Sequence, residues 1–292
     1  MMITPISRAY LKRQKASHHC HFALLTVNSP IITVGLPLMR VSFACFFVSL
    51  NIPHMETSTF FKFKQKAGNL LEPRLLQTGK VLEVRPWTPS TLIEIDLHLP
   101  LTDMEHWEQV PYIKFKVDPL TYRDYTPSGW DAETRTCTIF VDALHNGPGA
   151  KWARGLKAGD TVGYFKKIGF TQHQPDQTSA VIALGDESSV GHLLALQKMV
   201  LPHTRFSGGI VIGNDEHRKQ FNEFFWTPIE PVERRDIYGH HSLMEWVLKQ
   251  SYSLENTIFY LTGNNTMVGQ LRKLLKQQGY PSSQIKVQGF WS

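Results

Sequence analysis

Arg123 and Tyr125 stand two residues apart in Tyr122-Arg123-Asp124-Tyr125-Thr126-Pro127-Ser128. In an extended segment side chains alternate faces, so a guanidinium and a phenol share one face here. The guanidinium can grip a phosphate through two parallel bonds, and the ring can lie against a planar heterocycle. A ligand with an anionic end and a flat end, such as a flavin dinucleotide, offers a partner to each. A half-exposed strand whose Arg and Tyr only cover core edges fits the same residues, so the surrounding elements decide between the two.

A second anion-binding candidate follows at Gly147-Pro148-Gly149-Ala150-Lys151-Trp152-Ala153. Glycines and a proline opening a short helix leave its first N–H groups free to point at an anion, which the helix dipole also favours. A plain strand-to-helix turn is the competing reading, and it weakens if Arg123 lies on a neighbouring strand. Trp152 suits packing of that helix onto the sheet better than ligand contact. Two later turns, Gly185-Asp186-Glu187-Ser188-Ser189 and Gly263-Asn264-Asn265-Thr266, each close a short apolar run and open a helix. Asp186 there suits the role of helix cap better than that of an acid–base group.

The elements that must position these residues fall into two patterns. Residues 80–85, 91–98, 110–117, 122–126, 134–144 and 161–168 are short runs rich in Val, Ile, Thr, Tyr and Phe, separated by Pro, Gly and Asp turns. Leu92-Ile93-Glu94-Ile95-Asp96-Leu97-His98 and Tyr112-Ile113-Lys114-Phe115-Lys116-Val117 alternate apolar with polar, as strands with one buried face do. Six such strands predict a small antiparallel barrel over 68–173. Beyond it, continuous apolar runs at 181–184, 209–213, 257–262 and 285–287 alternate with helical patterns at about 190–199, 217–225, 242–250 and 266–278. That is the signature of a parallel α/β sheet, expected over 178–292. Ligands of such sheets sit beyond the carboxyl ends of the strands, which places the 185–189 and 263–266 turns on the rim of a site. No G-x-G-x-x-G fingerprint occurs, so a standard Rossmann dehydrogenase is not supported.

Of 31 basic residues, Arg8, Lys12, Arg13, Lys15 and Arg40 precede Met55 and no acid does, which leaves 26 against 25 acidic ones in the remainder. A near-neutral folded part does not steer nucleic acid. Residues 1–54 read as a poorly structured or spurious leader with Met55 as the working start, or else as a weak membrane or targeting segment. Prolines and Arg40 break their apolar run short of the roughly 20 residues a spanning helix needs, so no stable membrane insertion is expected. His18, His19 and His21 lack Cys or carboxylate partners at ligand spacing, and no metal site is assigned. The three cysteines, Cys20, Cys45 and Cys137, form no disulfide framework and cannot ligate an iron–sulfur cluster. Any redox chemistry must therefore run on a bound organic cofactor.

A flavin-binding barrel followed by a nucleotide-binding α/β domain is the plan of the ferredoxin-reductase superfamily. Arg123-Asp124-Tyr125-Thr126 resembles its Arg-x-Tyr-Ser/Thr flavin motif, and Thr262-Gly263-Asn264-Asn265-Thr266-Met267 resembles its Cys-Gly-Pro-x-x-Met turn with the Cys and Pro replaced. Within it, three ordered segments resemble the siderophore-interacting proteins, cytoplasmic FAD-containing ferric-siderophore reductases. Gly147-Pro148-Gly149-Ala150-Lys151-Trp152-Ala153 is similar to their Gly-Pro-Ala/Gly-Ser-x-Trp-Ala. Ala183-Leu184-Gly185-Asp186-Glu187-Ser188-Ser189 is similar to Ala-Asp-Glu-Thr-Ala, and Val287-Gln288-Gly289-Phe290-Trp291 to a terminal Gly-Tyr-Trp. The chain departs from the family at Ser128, where an Arg is common, and at Ala150, where a hydroxyl is; both departures imply fewer contacts to the FAD diphosphate.

By this resemblance Arg123 holds the FAD diphosphate, Tyr125 lies on the isoalloxazine and Thr126 hydrogen-bonds near the reactive flavin nitrogen. Gly147, Gly149, Ala150, Lys151 and Trp152 form the turn over the diphosphate. NADH or NADPH would dock at Gly185, Asp186, Glu187, Ser188 and Ser189, with Gly263 and Asn264 opposite. Asp215 would suit a ribose hydroxyl, Arg218 and Lys219 a 2′-phosphate. The implied activity is reduction of a ferric siderophore or other ferric chelate in the cytoplasm, with Lys114 and Lys286 offered to the anionic chelate. Each of these lysines also fits as a solvated strand residue. Phe290 and Trp291 would either approach the flavin face or close the second core. A general NAD(P)H-dependent flavin or ferric reductase and a non-catalytic siderophore-binding module are the alternatives.

Overall fold

The computed structural model describes residues 75–173, 180–200 and 204–291. The expectations for residues 1–54 lie outside them. Eight strands form a curled antiparallel sheet: β1 (Leu76–Trp87), β2 (Leu92–His98), β3 (Pro111–Asp118), β4 (Thr121–Tyr125), β5 (Pro127–Asp131), β6 (Thr136–Asp142), β7 (Thr161–Phe165) and β8 (Gly169–Phe170). Their order is β4-β3-β7-β1-β2-β6-β5, with β8 paired to β3. The count exceeds the expected six by β5 and β8. Pro127-Ser128-Gly129 reads as a turn, but β5 is an edge strand, where a proline's missing N–H and a glycine are tolerated. Helix α1 (Pro148–Gly155) lies between β6 and β7.

The curl encloses a core of Ile95, Leu97, Ile113, Phe115, Ile139 and Tyr164, all essentially inaccessible. On β3 the expected alternation holds, with Ile113 and Phe115 inward and Lys114 and Lys116 on the other face. β2 differs: Asp96 is 1% exposed. Its carboxylate is retained because Arg85 reaches it at 2.8 Å and Thr138 Oγ1 donates at 2.6 Å, while Arg85 also pairs with Glu94 at 2.6 Å. A buried charge persists only when paired and hydrogen-bonded in this way.

The second half is a five-stranded, all-parallel sheet of β9 (Ala180–Asp186), β10 (Phe206–Ile212), β11 (Ile229–Glu233), β12 (Thr257–Asn264) and β13 (Ile285–Trp291), in the order β11-β10-β9-β12-β13. Helices α2 (Val190–Met199), α3 (Asp215–Phe224), α4 (His240–Leu248) and α5 (Asn265–Gln277) connect or flank these strands. β11 carries Pro231, which masks it in the sequence and suits its place at the sheet edge. Residues 190–196 of α2 are all buried, as befits a helix apolar all round.

That helix joins the two halves. Trp87, Leu92, Val110 and Phe140 of the antiparallel part share one core with Val190, Leu193, Leu194 and Phe221. Lys198 Nζ donates to Trp130 O at 2.9 Å and lies 3.9 Å from the centre of its ring. At Gly191 a Cβ would collide with Thr126 O. The start of α2 therefore rests directly on the residue that follows β4. Among the described residues no helix is long and apolar enough to cross a membrane.

Candidate functional site

β4 and α1 bring the first two candidate motifs together. A Cβ at Gly149 would collide with Tyr125 Oη and lie 3.4 Å from Arg123 Cγ, so glycine there makes room for both side chains. Tyr125 stacks on Trp152 at 5.8 Å with the planes 12° apart, and Trp152 in turn packs on Phe115 at 5.7 Å. Trp152 is thus the backing that fixes the Tyr125 ring. Burial raises the Tyr125 pKa, with the Arg123 charge opposing, so the phenol keeps its proton. Arg123 is exposed, and its one hydrogen bond among the described residues goes to Tyr122 O at 2.8 Å.

The N-terminus of α1 has no side-chain cap. Gly147 N–H donates to His145 Nδ1 at 2.9 Å, Pro148 has no N–H, and Lys151 N–H returns to Gly147 O at 3.0 Å. The N–H groups of Gly149 and Ala150 are the first-turn donors left over, beside the Arg123 stem. This donor pair, an exposed guanidinium and a rigidly backed phenol fit a dinucleotide with a diphosphate and a flat ring. The two departures are accommodated within the fold: Ser128 is buried and donates to Thr138 O at 3.1 Å, and Ala150 is 1% exposed, packed into the core.

The second cluster sits at the carboxyl ends of β9 and β12. Asp186 accepts from Ser188 N at 3.0 Å, Ser188 Oγ at 2.5 Å and Asn264 N at 2.8 Å. Burial raises its pKa, and the bonds from Ser188 and Asn264 only partly offset this. It caps the turn, as its residue type suggested. Glu187 is spent inside the fold, accepting from Gly213 N at 2.9 Å and from Arg234 at 2.5 Å, with His217 Nδ1 at an ion-pair distance of 3.9 Å. Burial alone would raise its pKa; His217, Arg234 and Gly213 more than reverse that. Ser189 Oγ donates to Asp186 O at 2.7 Å, and a Cβ at Gly185 would collide with that hydroxyl. Gly263 has φ +115°, and a Cβ there would come 2.6 Å from the Asp186 carboxylate. Asn264 caps α5, accepting from Thr266 N at 2.9 Å and Met267 N at 3.1 Å, and its buried Nδ2 has no partner among the described residues.

The C-terminal strand closes over this rim. Trp291 Nε1 donates to Ser188 Oγ at 3.1 Å, and Phe290 lies 5.7 Å from the ring of His192. Both aromatic side chains remain about two-fifths exposed. Nearby, Thr171 and His173 face His192, Thr262 and Lys286 across a cavity of about 10 Å³, room for one water. His192 is fully buried with Nδ1 unpartnered, and burial pushes its pKa down to about 4. The His173 pKa is lowered first by burial and then by the Lys286 charge. Lys286 has no ion-pair partner among the described residues, whereas Lys114 is tied to Asp124 at 2.8 Å. Arg218 pairs with Asp215, and Lys219 with Glu216 at 3.3 Å.

Sequence reasoning missed Gly191 and Arg234, gave His192 no role at the site, and singled out Thr262 only as the residue standing where the nucleotide-turn motif has Cys. Only the close approach of Gly191 had a signal, a glycine inside an apolar helical pattern.

Residues 90–166 match the model of the siderophore-interacting FAD-binding domain, and residues 178–292 match that of the siderophore-interacting protein. The chain belongs to the siderophore-interacting protein family. FAD is its cofactor, and family and fold together make it a flavoprotein oxidoreductase. No curated protein matches the chain. Among solved structures it is similar to a siderophore utilization protein from T. fusca, at 18% identity and a TM-score of 0.60, covering 74% of this chain and 92% of that one. A siderophore-interacting protein from Aeromonas hydrophila gives 14% identity and a TM-score of 0.61, with 74% and 91% covered. A ferredoxin NADP+ reductase from Neisseria gonorrhoeae, solved with bound FAD and NADP, gives 18% and 0.58, with 73% and 98% covered. Such likenesses fix the fold as ferredoxin-reductase-like.

Proposed function

We propose that the protein is a cytoplasmic ferric-siderophore reductase that passes electrons from NADH or NADPH, through FAD, to chelated Fe(III). The observation that carries this reading is the meeting of Arg123 and Tyr125 with the uncapped start of α1, on a chain whose family binds FAD. Arg123 and the N–H groups of Gly149 and Ala150 hold the diphosphate, Tyr125 backed by Trp152 orients the ring system, and Thr126 offers a hydrogen bond at its reactive edge. When bound, FAD supplies the conversion of a two-electron donor into one-electron steps, which Fe(III) requires. The rim of Gly185, Ser188, Gly263 and Asn264 positions the nicotinamide. Asp186 and Glu187 shape that rim through internal bonds. Phe290 and Trp291 shield it from water.

Lys286 is the side chain for the anionic chelate, because it lines the cavity between the sheets and has no ion-pair partner among the described residues, while Lys114 is paired with Asp124. The cavity beside Lys286 holds no more than a water, so the chelate docks outside it. Anaerobic reduction of the FAD-loaded protein by NADH and NADPH, followed by reoxidation with a series of ferric chelates and trapping of Fe(II), tests the reading. Lys286→Ala should raise KM for an anionic chelate several-fold and leave FAD occupancy and nicotinamide oxidation unchanged. Equal rates with every chelate, unaltered in Lys286→Ala, would make the protein a general ferric reductase instead.

A further inference from the structure

Away from the flavin cleft, the segment between β11 and α4 gathers three metal-ligating side chains. Asp236, His240 and His241 each place one donor atom within 4.8 Å of the other two. Gly239 makes this possible: with φ +71° it turns the chain sharply into α4, and a Cβ there would come 2.6 Å from Val211 Cγ1. The turn closes through Gly239 N–H donating to Asp236 O at 3.2 Å.

Within the cluster one carboxylate oxygen is used and the other is not. Asp236 Oδ1 accepts from His241 N at 3.2 Å, which satisfies a first-turn donor of α4 and offsets the positive end of its dipole. Asp236 Oδ2 stands 2.9 Å from His240 Nδ1, yet both atoms are buried and neither is in an aligned hydrogen bond. An ordinary His–Asp pair would align its N–H with the oxygen. Two buried donor atoms this close with no N–H aligned between them suit two neighbouring ligands of one ion, since ligands at about 2.1 Å that meet at the octahedral angle of about 90° lie roughly 3.0 Å apart. The His241 ring lies 4.1 Å from that of His240 and is exposed, so it can swing the remaining distance.

Local charge favours a cation. Arg234 is consumed by Glu187, and Arg235 is shared between Glu233 at 3.5 Å and Glu245 at 3.2 Å. Neither arginine opposes an ion at Asp236.

We propose that Asp236, His240 and His241 bind a divalent transition ion, with water completing its coordination. Two imidazoles and one carboxylate suit borderline ions, zinc and ferrous iron alike, and the cluster stands independently of the reductase reading.

The test uses the full FAD-loaded chain, stripped of metal, in a background where His18, His19 and His21 are changed to Ala so that they cannot compete. Calorimetric titration with Zn²⁺, and with Fe²⁺ under anaerobic conditions, should find one equivalent bound by at least one of the ions. His241→Ala, exposed and so compatible with folding, and Asp236→Asn should weaken that binding at least tenfold with the flavin spectrum unchanged. Binding of only one ion upholds the site and identifies its occupant. Failure of both ions to bind, or binding undiminished in both variants, overturns the proposal.

Discussion

At the scale of single residues, the candidate site is a set of donors left over after the fold has satisfied its own needs. Arg123 spends one bond on Tyr122 O and keeps the rest of its guanidinium in solvent. A charge-assisted hydrogen bond contributes about 1.5–3 kcal/mol, so Arg123→Ala should loosen FAD by tenfold or more. Because the side chain is exposed, the melting temperature of the flavin-free protein should barely move. Flavin absorbance per chain after dialysis is the measurement, and unchanged occupancy would show that the diphosphate lies elsewhere. His192 is the opposite case, a buried ring with an unpartnered nitrogen and a pKa pushed down to about 4. Above its ordinary pKa near 6.5 the ring is neutral folded or unfolded and pH has no effect through it. As pH falls from there towards 4, the unfolded chain takes up a proton that the folded one refuses, and native stability drops by an amount on the order of 3 kcal/mol. His192→Gln should flatten that part of the curve. Urea denaturation at pH 7, 5.5 and 4 checks it; parallel curves for the two proteins would mean that the ring protonates in place. The shared placement of Arg123 and Tyr125 beside Gly149 was legible in sequence because strand alternation alone puts them on one face. His192 was not, since nothing local says that a histidine on an apolar helix will be roofed by Phe290 and a neighbouring sheet.

At the scale of elements, turns were read more reliably than strands that break composition rules. The 147–151 and 185–189 turns were legible because glycine, proline and capping side chains act within a few residues. β5 and β11 were not: each contains a proline, and only their places at sheet edges make that harmless. The carboxylate of Glu187 shows the same limit. As part of the rim motif it looked ligand-facing, and three-dimensional packing instead gave it to Gly213 and Arg234. Gly263 shows where a motif glycine has a structural cause, a left-handed φ of +115° with the Asp186 carboxylate in the space a Cβ would fill. Gly263→Ala should cost about 1–3 kcal/mol of stability and displace the bond from Asn264 N to Asp186. Thermal denaturation measures the first effect, and a raised KM for the nicotinamide the second. A variant as stable as the parent would imply that β12 can re-route around Asp186.

At the scale of the whole molecule, the antiparallel and parallel sheets are not two beads on a string. Trp87, Leu92, Val110 and Phe140 belong to the first sheet by chain position, yet they are buried among residues of α2 and the second sheet. Trp87 alone meets Phe140, Phe224 and Phe225 at 5.3–5.9 Å between ring centres. Burying an apolar side chain of this size contributes about 1.5–3 kcal/mol, so exposing four of them would cost roughly 6–12 kcal/mol. That matches the entire stability of an ordinary domain. The site spans the same seam, because Gly191 of α2 touches Thr126 and the cavity by Lys286 is lined from both sheets. Losing the seam would therefore dismantle the site and strip both sheets of their shared core at once. The chain should unfold in one transition, with tryptophan fluorescence and far-ultraviolet circular dichroism tracing the same urea curve, with or without FAD. A chain cut after residue 173 should bind hydrophobic dyes strongly and hold FAD poorly. Two separated transitions, or a cut chain that keeps FAD as firmly as the parent, would show that the sheets fold independently and that the shared core is only a docking contact.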